Sequence, residues 1–281
     1  MAASWWAALA AGPAGFDAGF WAILAVKMLA SAAVVVLASY AVERSGPLAG
    51  AMIATLPLSA GPAYVFLALD HPPDFLRDSA VASLPAIAAT ALYIVAYASL
   101  ARRHGLAVAL AAALGVWVAA ALLLRQVAGL AAGAGATALV VLACMAAGRA
   151  IGTDAVPPAR RGRPRDVAIR AGIVMLLVAG VVVAGRVAGP GAAGILAFAP
   201  VVMVSLAVIL HPRIGGGAAA TVLILSLPGL LGFVAALSVL ALTVERLGPA
   251  LGLPLALLIN VAWNGAILLT HPTARPVETD P

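Results

Sequence analysis

GLAVALAAALGVWVAAALLL, residues 105–124, runs for twenty positions without a charge, an amide or a proline. As a helix rising 1.5 Å per residue it spans about 30 Å, the depth of a bilayer's hydrocarbon core. It has no polar face to turn toward water. Nor does it alternate polar and apolar side chains, as a barrel strand between lipid and lumen would. The stretch is therefore read as a transmembrane helix.

Eight further runs of the same character flank it, at 20–42, 47–69, 79–101, 127–148, 167–187, 190–210, 216–243 and 249–270. Only Arg125 and Gln126 divide the fourth span from the fifth, and the long eighth span is expected to tilt or to kink at Pro228. Of the 281 residues 64% are apolar and 9% charged, with mean hydropathy +1.13. Soluble domains carry about 45–50% apolar and about 25% charged residues. A water-facing globule, a disordered chain, a disulfide scaffold and a nucleic-acid binder are all excluded on that ground. Cys144 is the single cysteine, so no intramolecular disulfide forms. Met1 to Trp21 lacks the basic start of a secretory signal.

The net charge of +6 reflects topology rather than a polyanion partner, because the arginines stand between apolar runs. With the N-terminus outside, Arg44, Arg102, Arg103, Arg149, Arg160, Arg161, Arg163, Arg165, Arg170, Arg213 and Arg275 fall on the cytoplasmic side. Arg77, Arg125, Arg186 and Arg246 fall outside. Eleven against four predicts that orientation and an inside C-terminus, with the inner (plasma) membrane of a bacterium as the expected location. The stretch Ala159-Arg160-Arg161-Gly162-Arg163-Pro164-Arg165 reads as a cytoplasmic linker.

A duplication emerges at an offset of 143. Lys27 aligns with Arg170, Gly46-Pro47 with Gly189-Pro190, Pro57 with Pro200, Ser83-Leu84-Pro85 with Ser226-Leu227-Pro228, and Gly105 with Gly248. Shared Gly and Pro carry weight because they set backbone geometry. His71-Pro72 and His211-Pro212, 140 apart, mark a shift of three in one loop. The expected organisation is an N-terminal segment 1–19, a first four-helix repeat 20–126, a connector helix 127–148, a basic linker 149–166, a second repeat 167–271 and a tail 272–281. The fold class is an all-α polytopic membrane protein of about nine helices, as two four-helix repeats joined by one connector. The odd connector inverts the second repeat, an arrangement that recurs in secondary transporters.

The first repeat, from Lys27 through Glu43-Arg44-Ser45-Gly46-Pro47 and Ala54-Thr55-Leu56-Pro57-Leu58-Ser59, resembles the small four-helix GlpM-type membrane proteins over roughly residues 23–125. The whole plan more distantly resembles the drug/metabolite transporter superfamily and its small multidrug relatives. Those relatives carry a membrane-embedded glutamate for proton and cation. This chain has no Glu or Asp at mid-membrane depth, a departure that removes that mechanism.

Enzyme signatures are absent, so the chain is read as a non-enzyme without metal or organic cofactor. The acidic residues and the four histidines all read as loop or tail residues, with Asp70-His71, Asp74 and Asp78 as an exposed polar loop. Lys27, the one lysine, sits in an apolar run. Snorkelling to the interface is the preferred reading for it and for Arg170; facing inward, they would favour anionic or zwitterionic groups.

The candidate substrate site lies at the paired helix interruptions. Thr55, Pro57, Ser59, Gly61, Pro62 and Tyr64 form the first, and Phe198-Ala199-Pro200 with Ser205 the second. Asn260 and Asn264 share one helix face and are read first as interhelical hydrogen-bonding groups, then as substrate contacts. Tyr93 and Tyr97 form a similar pair, lining a cavity or packing. The expected function is transport of a small anionic or neutral metabolite by alternating access, with membrane lipid and an unidentified small molecule as partners. The competing reading is a non-transporting accessory or envelope-assembly protein that binds helices or lipids. A cavity walled by both repeats would favour the first, a solid core with an exposed groove the second.

Overall fold

The computed structural model describes residues 18–44, 60–152, 154 and 164–270, the side chains of 38–44 and 268 excepted. Within them the chain is all-α. The helices are α1 (Ala18–Arg44), α2 (Ala60–Asp70), α3 (Pro73–Ala101), α4 (Leu106–Leu124), α5 (Leu130–Ile151), α6 (Pro164–Ala197), α7 (Val201–Ile214), α8 (Gly216–Leu225), α9 (Leu227–Leu247) and α10 (Pro249–Thr270). Seven stretches among the described residues are long and apolar enough to cross a membrane, α8 and α9 counting as one; α2 and α7 are shorter.

Glycine and proline decide where the helices stop. Gly129 separates α4 from α5 at φ 85°, a left-handed conformation open to glycine. Gly189 does the same inside α6 at φ 78°, and Pro190 opens the following short helical piece. The region read as one span, 190–210, is further broken at Phe198–Pro200 before α7 begins. The expected kink near Pro228 falls at Ser226, where the side chain donates to the Leu223 carbonyl at 2.6 Å. Pro228 cannot donate to a carbonyl one turn back, so the helix yields just before it.

Helix α3 is the centre of the bundle and the most buried of the long helices. It packs on α4, α5, α6, α8 and α9, while α1 lies mainly along α6 and α10 along α9. Small side chains permit this: Ala80, Ala86, Ala89, Ala91 and Ala98 of α3 are all fully buried. Backbones meet closely at Gly194 of α6, where an added Cβ would overlap the Ser79 carbonyl oxygen of α3, and at Gly216 of α8, where it would overlap that of Ala101.

Ion pairs collect at two opposite ends of the bundle. At one end Lys27 pairs with Asp70, and Arg77 of α3 lies 3.4 Å from Glu245 of α9. At the other, Arg102 lies 2.9 Å from Asp154 and donates to the last carbonyls of α5, while Arg213 lies 2.7 Å from Asp166. The acidic residues Asp70, Asp74, Asp78, Asp166 and Glu245 thus lie in the end turns of helices rather than loops, and His211 lies within α7.

Candidate functional site

A cavity of about 660 Å³ opens between α1, α2, α9 and α10, closed on one side by Phe198 at the break after α6. Its size is that of a small-molecule pocket. Small residues hold it open: Ala30 on α1, Ala60 and Gly61 on α2, Ala236 on α9, Ala250 and Ala256 on α10. A Cβ at Gly61 would meet nothing within 4 Å. Larger apolar groups, Phe66, Phe198, Phe233, Leu237 and Leu253, complete the wall.

Among the described residues three polar side chains reach this wall, Ser31, Tyr64 and Asn260. Two are already engaged. Ser31 donates to the Lys27 carbonyl at 2.9 Å, and the Tyr64 hydroxyl lies 2.8 Å from Ser83 Oγ. Asn260 is 1% exposed. Its Oδ1 accepts from Asn264 Nδ2 at 3.3 Å, and its own Nδ2 has no partner.

The break at 198–200 is sealed by α3. Ser83 donates to the Gly194 carbonyl at 2.7 Å. Thr90 lies 3.3 Å from the Phe198 carbonyl and receives Trp117 Nε1 at 3.2 Å. Backbone acceptors left open by an interrupted helix therefore find hydroxyls on the neighbour, as apolar surroundings require.

Next to this cavity lies a second pocket of about 340 Å³, lined by Lys27, Asp70 and Arg186 among apolar residues of α1 and α6. Lys27, 7% exposed, is buried at the end of the bundle where Asp70 stands. Its ammonium pairs with Asp70 and stands 5.7 Å over the Phe66 ring. Inward burial is tolerated because the counter-charge sits at the end of the adjoining helix. Arg186 stacks its guanidinium 4.9 Å from the Phe20 ring. Beside them His71 lies flat on Phe75, the ring centroids 3.8 Å apart. Burial lowers the His71 pKa from its ordinary value; Asp70 opposes that shift, while Lys27 and Arg186 add to it.

Of the residues singled out from sequence, Gly61, Pro62, Tyr64 and Asn260 meet at the main cavity and Lys27 lines the smaller pocket. Thr55, Pro57 and Ser59 lie outside the described residues. Pro200 caps α7 and Ser205 bonds the Val202 carbonyl at 2.8 Å; neither lines the cavity. Asn264 turns back along its own helix, bonding Asn260, so the pair does not make the bond across helices expected of it. Tyr93 and Tyr97 stack in the core, and Tyr97 bonds His211 Nδ1 at 2.8 Å. The sequence reads Asp70 only as part of an exposed polar loop, and it does not point to Arg186, Ser31 or Thr90 as site residues. The signal for Ser31 was its place one turn after Lys27, but nothing local announces Asp70 as a partner 43 residues away. No group of three or more metal-ligating side chains occurs among the described residues. Compared with known protein families, with curated proteins and with solved structures, the chain matches none.

Proposed function

We propose that the protein is a secondary transporter for a small molecule, working by alternating access of two inverted four-helix repeats. The observation that carries this reading is the main cavity. One wall comes from α1 and α2, which belong to the first repeat, and the other from α9 and α10, which belong to the second. A site shared between halves is what rocking of one half against the other exposes to each side in turn.

Lys27 pairs with Asp70 at one end of the bundle, and Arg213 pairs with Asp166, one turn before Arg170, at the other. Lys27 and Arg170, the aligned cations of the two repeats, thus stand toward opposite ends, which fits an inverted relation. In this reading the N-terminus is outside, the C-terminus and the 149–166 linker are cytoplasmic, and the membrane is a bacterial inner membrane.

Site-directed cysteine labelling tests the proposal without a known substrate. In a Cys144→Ser background, Ala256→Cys should react with membrane-impermeant thiol reagents applied to either face, and Arg161→Cys only from the cytoplasmic face. Labelling of Ala256→Cys from one face alone, or from neither, would sink alternating access at this cavity. Labelling of Arg161→Cys from outside would overturn the topology.

A further inference from the structure

We infer that the smaller pocket, between α1 and α6 at the end of α2, seats a zwitterion of the phosphoethanolamine type, with its ammonium on Asp70 and its phosphate on Arg186 and Lys27. The site stands apart from the main cavity and does not depend on alternating access. Among the described residues three charged side chains line its wall, Lys27, Asp70 and Arg186. They are unequally open to an incoming group. The Lys27 side chain is nearly sealed, the Asp70 side chain is 35% exposed, and Arg186 is exposed.

These charges select the ligand. A simple anion drawn to Arg186 would stand against the Asp70 carboxylate, and a simple cation drawn to Asp70 would stand against Lys27 and Arg186. A molecule carrying both signs a few bonds apart meets each group with its opposite and strands none. Nor must it break the pair already made. Lys27 donates to Asp70 Oδ2, which leaves Oδ1 to accept from the incoming ammonium. The Lys27 ammonium has three donors, so it has others to offer the phosphate. Arg186 stacks on Phe20; with five N–H donors its guanidinium serves an anion in addition to the contacts it already makes. Asp70 only accepts, so a primary ammonium suits it and a trimethylammonium, which has no N–H, does not.

The apolar part of the wall includes Phe20, Ile23 and Leu24 of α1. Ile23 also belongs to the open apolar surface of that helix, with Trp21 and Val26, all more than half exposed. Acyl chains lying on this surface would bring a headgroup to the pocket mouth, so phosphatidylethanolamine is the probe of choice.

Native mass spectrometry of the detergent-purified chain, offered phosphatidylethanolamine, phosphatidylcholine and phosphatidylglycerol with identical acyl chains, reads the selection. Phosphatidylethanolamine should bind about fivefold tighter than either of the others, the upper end for a partly exposed ion pair. Equal binding of all three in the wild type overturns the inference, and that comparison needs no variant. Lys27→Met combined with Asp70→Asn removes both charges of the pair and strands neither, so this double variant should fold and lose the preference. Arg186→Gln should weaken phosphatidylethanolamine and phosphatidylcholine alike, because both bring a phosphate. A preference that survives the double variant, or unchanged binding in Arg186→Gln, overturns the inference too. Glycerophosphoethanolamine, the same head without chains, identifies the source. Competition by it assigns the site to a free zwitterion, and no competition assigns it to the lipid; both results keep the zwitterion seat.

Discussion

Lys27 and Asp70 form a pair whose two members are unequally buried, and that inequality predicts unequal costs of removal. The Lys27 side chain is 8% exposed and the Asp70 side chain 35%. Exposed pairs contribute about 0.2–1 kcal/mol, whereas removing one partner of a fully buried pair costs about 3–5 kcal/mol because the other is stranded. In Lys27→Met the stranded group is Asp70, which keeps access to solvent and shares its pocket with Arg186; the expected loss is about 1 kcal/mol. In Asp70→Asn the stranded group is Lys27, nearly sealed, with the Phe66 ring as its remaining favourable neighbour; the expected loss is about 3 kcal/mol. Removing both charges strands neither, so the double variant should return to within about 1 kcal/mol of wild type. Unfolding of the purified protein by denaturing detergent, read by circular dichroism, measures all three. Lys27→Met losing more than Asp70→Asn would refute the argument, since it would mean that Lys27 and not Asp70 holds the route to water. A double variant as unstable as Asp70→Asn would show that the ammonium is not stranded by loss of the carboxylate.

Two further outcomes follow from the same geometry. His71 is held below its ordinary pKa mainly by burial, so the unfolded chain takes up its proton at higher pH than the folded one. Its contribution is therefore complete above about pH 6.5 and is lost as pH falls below that value. Melting temperature should drop between about pH 7.5 and about pH 5, and His71→Phe, which keeps the stack on Phe75, should shrink that drop; an unchanged drop would place the titration elsewhere. Gly194→Ala should cost about 1–3 kcal/mol, because the new methyl overlaps the Ser79 carbonyl and forces α3 and α6 apart. Gly172→Ala, where a Cβ meets nothing within 4 Å, serves as the control, and equal melting temperatures for the two would remove Gly194 as a packing constraint.

How far the sequence could be read differs by the kind of feature. Apolar runs such as 105–124 announce their helices because length and hydropathy are local properties. Gly189-Pro190 announces its break because the backbone demand is local too. The partner of Lys27 is a different matter. A lone cation in an apolar run shows no partner within a few turns, so the sequence points to snorkelling; Asp70 becomes a partner only when α1 and α2 both pack on α6. Likewise Asn260 and Asn264 share a face in any helix, but whether they bond across to a neighbour or to each other depends on what stands opposite. Gly229, where an added Cβ would lie 2.9 Å from Asn264 Oδ1, offers no side-chain partner, so the amides turn to one another.

The interrupted helices were singled out because freed carbonyls in an apolar interior need a donor, and a ligand is one candidate. At the 198–200 break α3 supplies those donors from within the protein, through Ser83 and Thr90. The Gly194 and Phe198 carbonyls therefore need no substrate to answer them. Such a break suits a moving part. The hydroxyl bonds to the Gly194 and Phe198 carbonyls seal the break in one arrangement. Being single side-chain contacts between α3 and the end of α6, they are cheaper to exchange than an unbroken helical ladder. In this account the interruption serves the motion, so Ser83→Ala should alter the rate at which Ala256→Cys becomes accessible to thiol reagents. An unchanged rate in Ser83→Ala would show that these hydroxyl bonds do not hold the break.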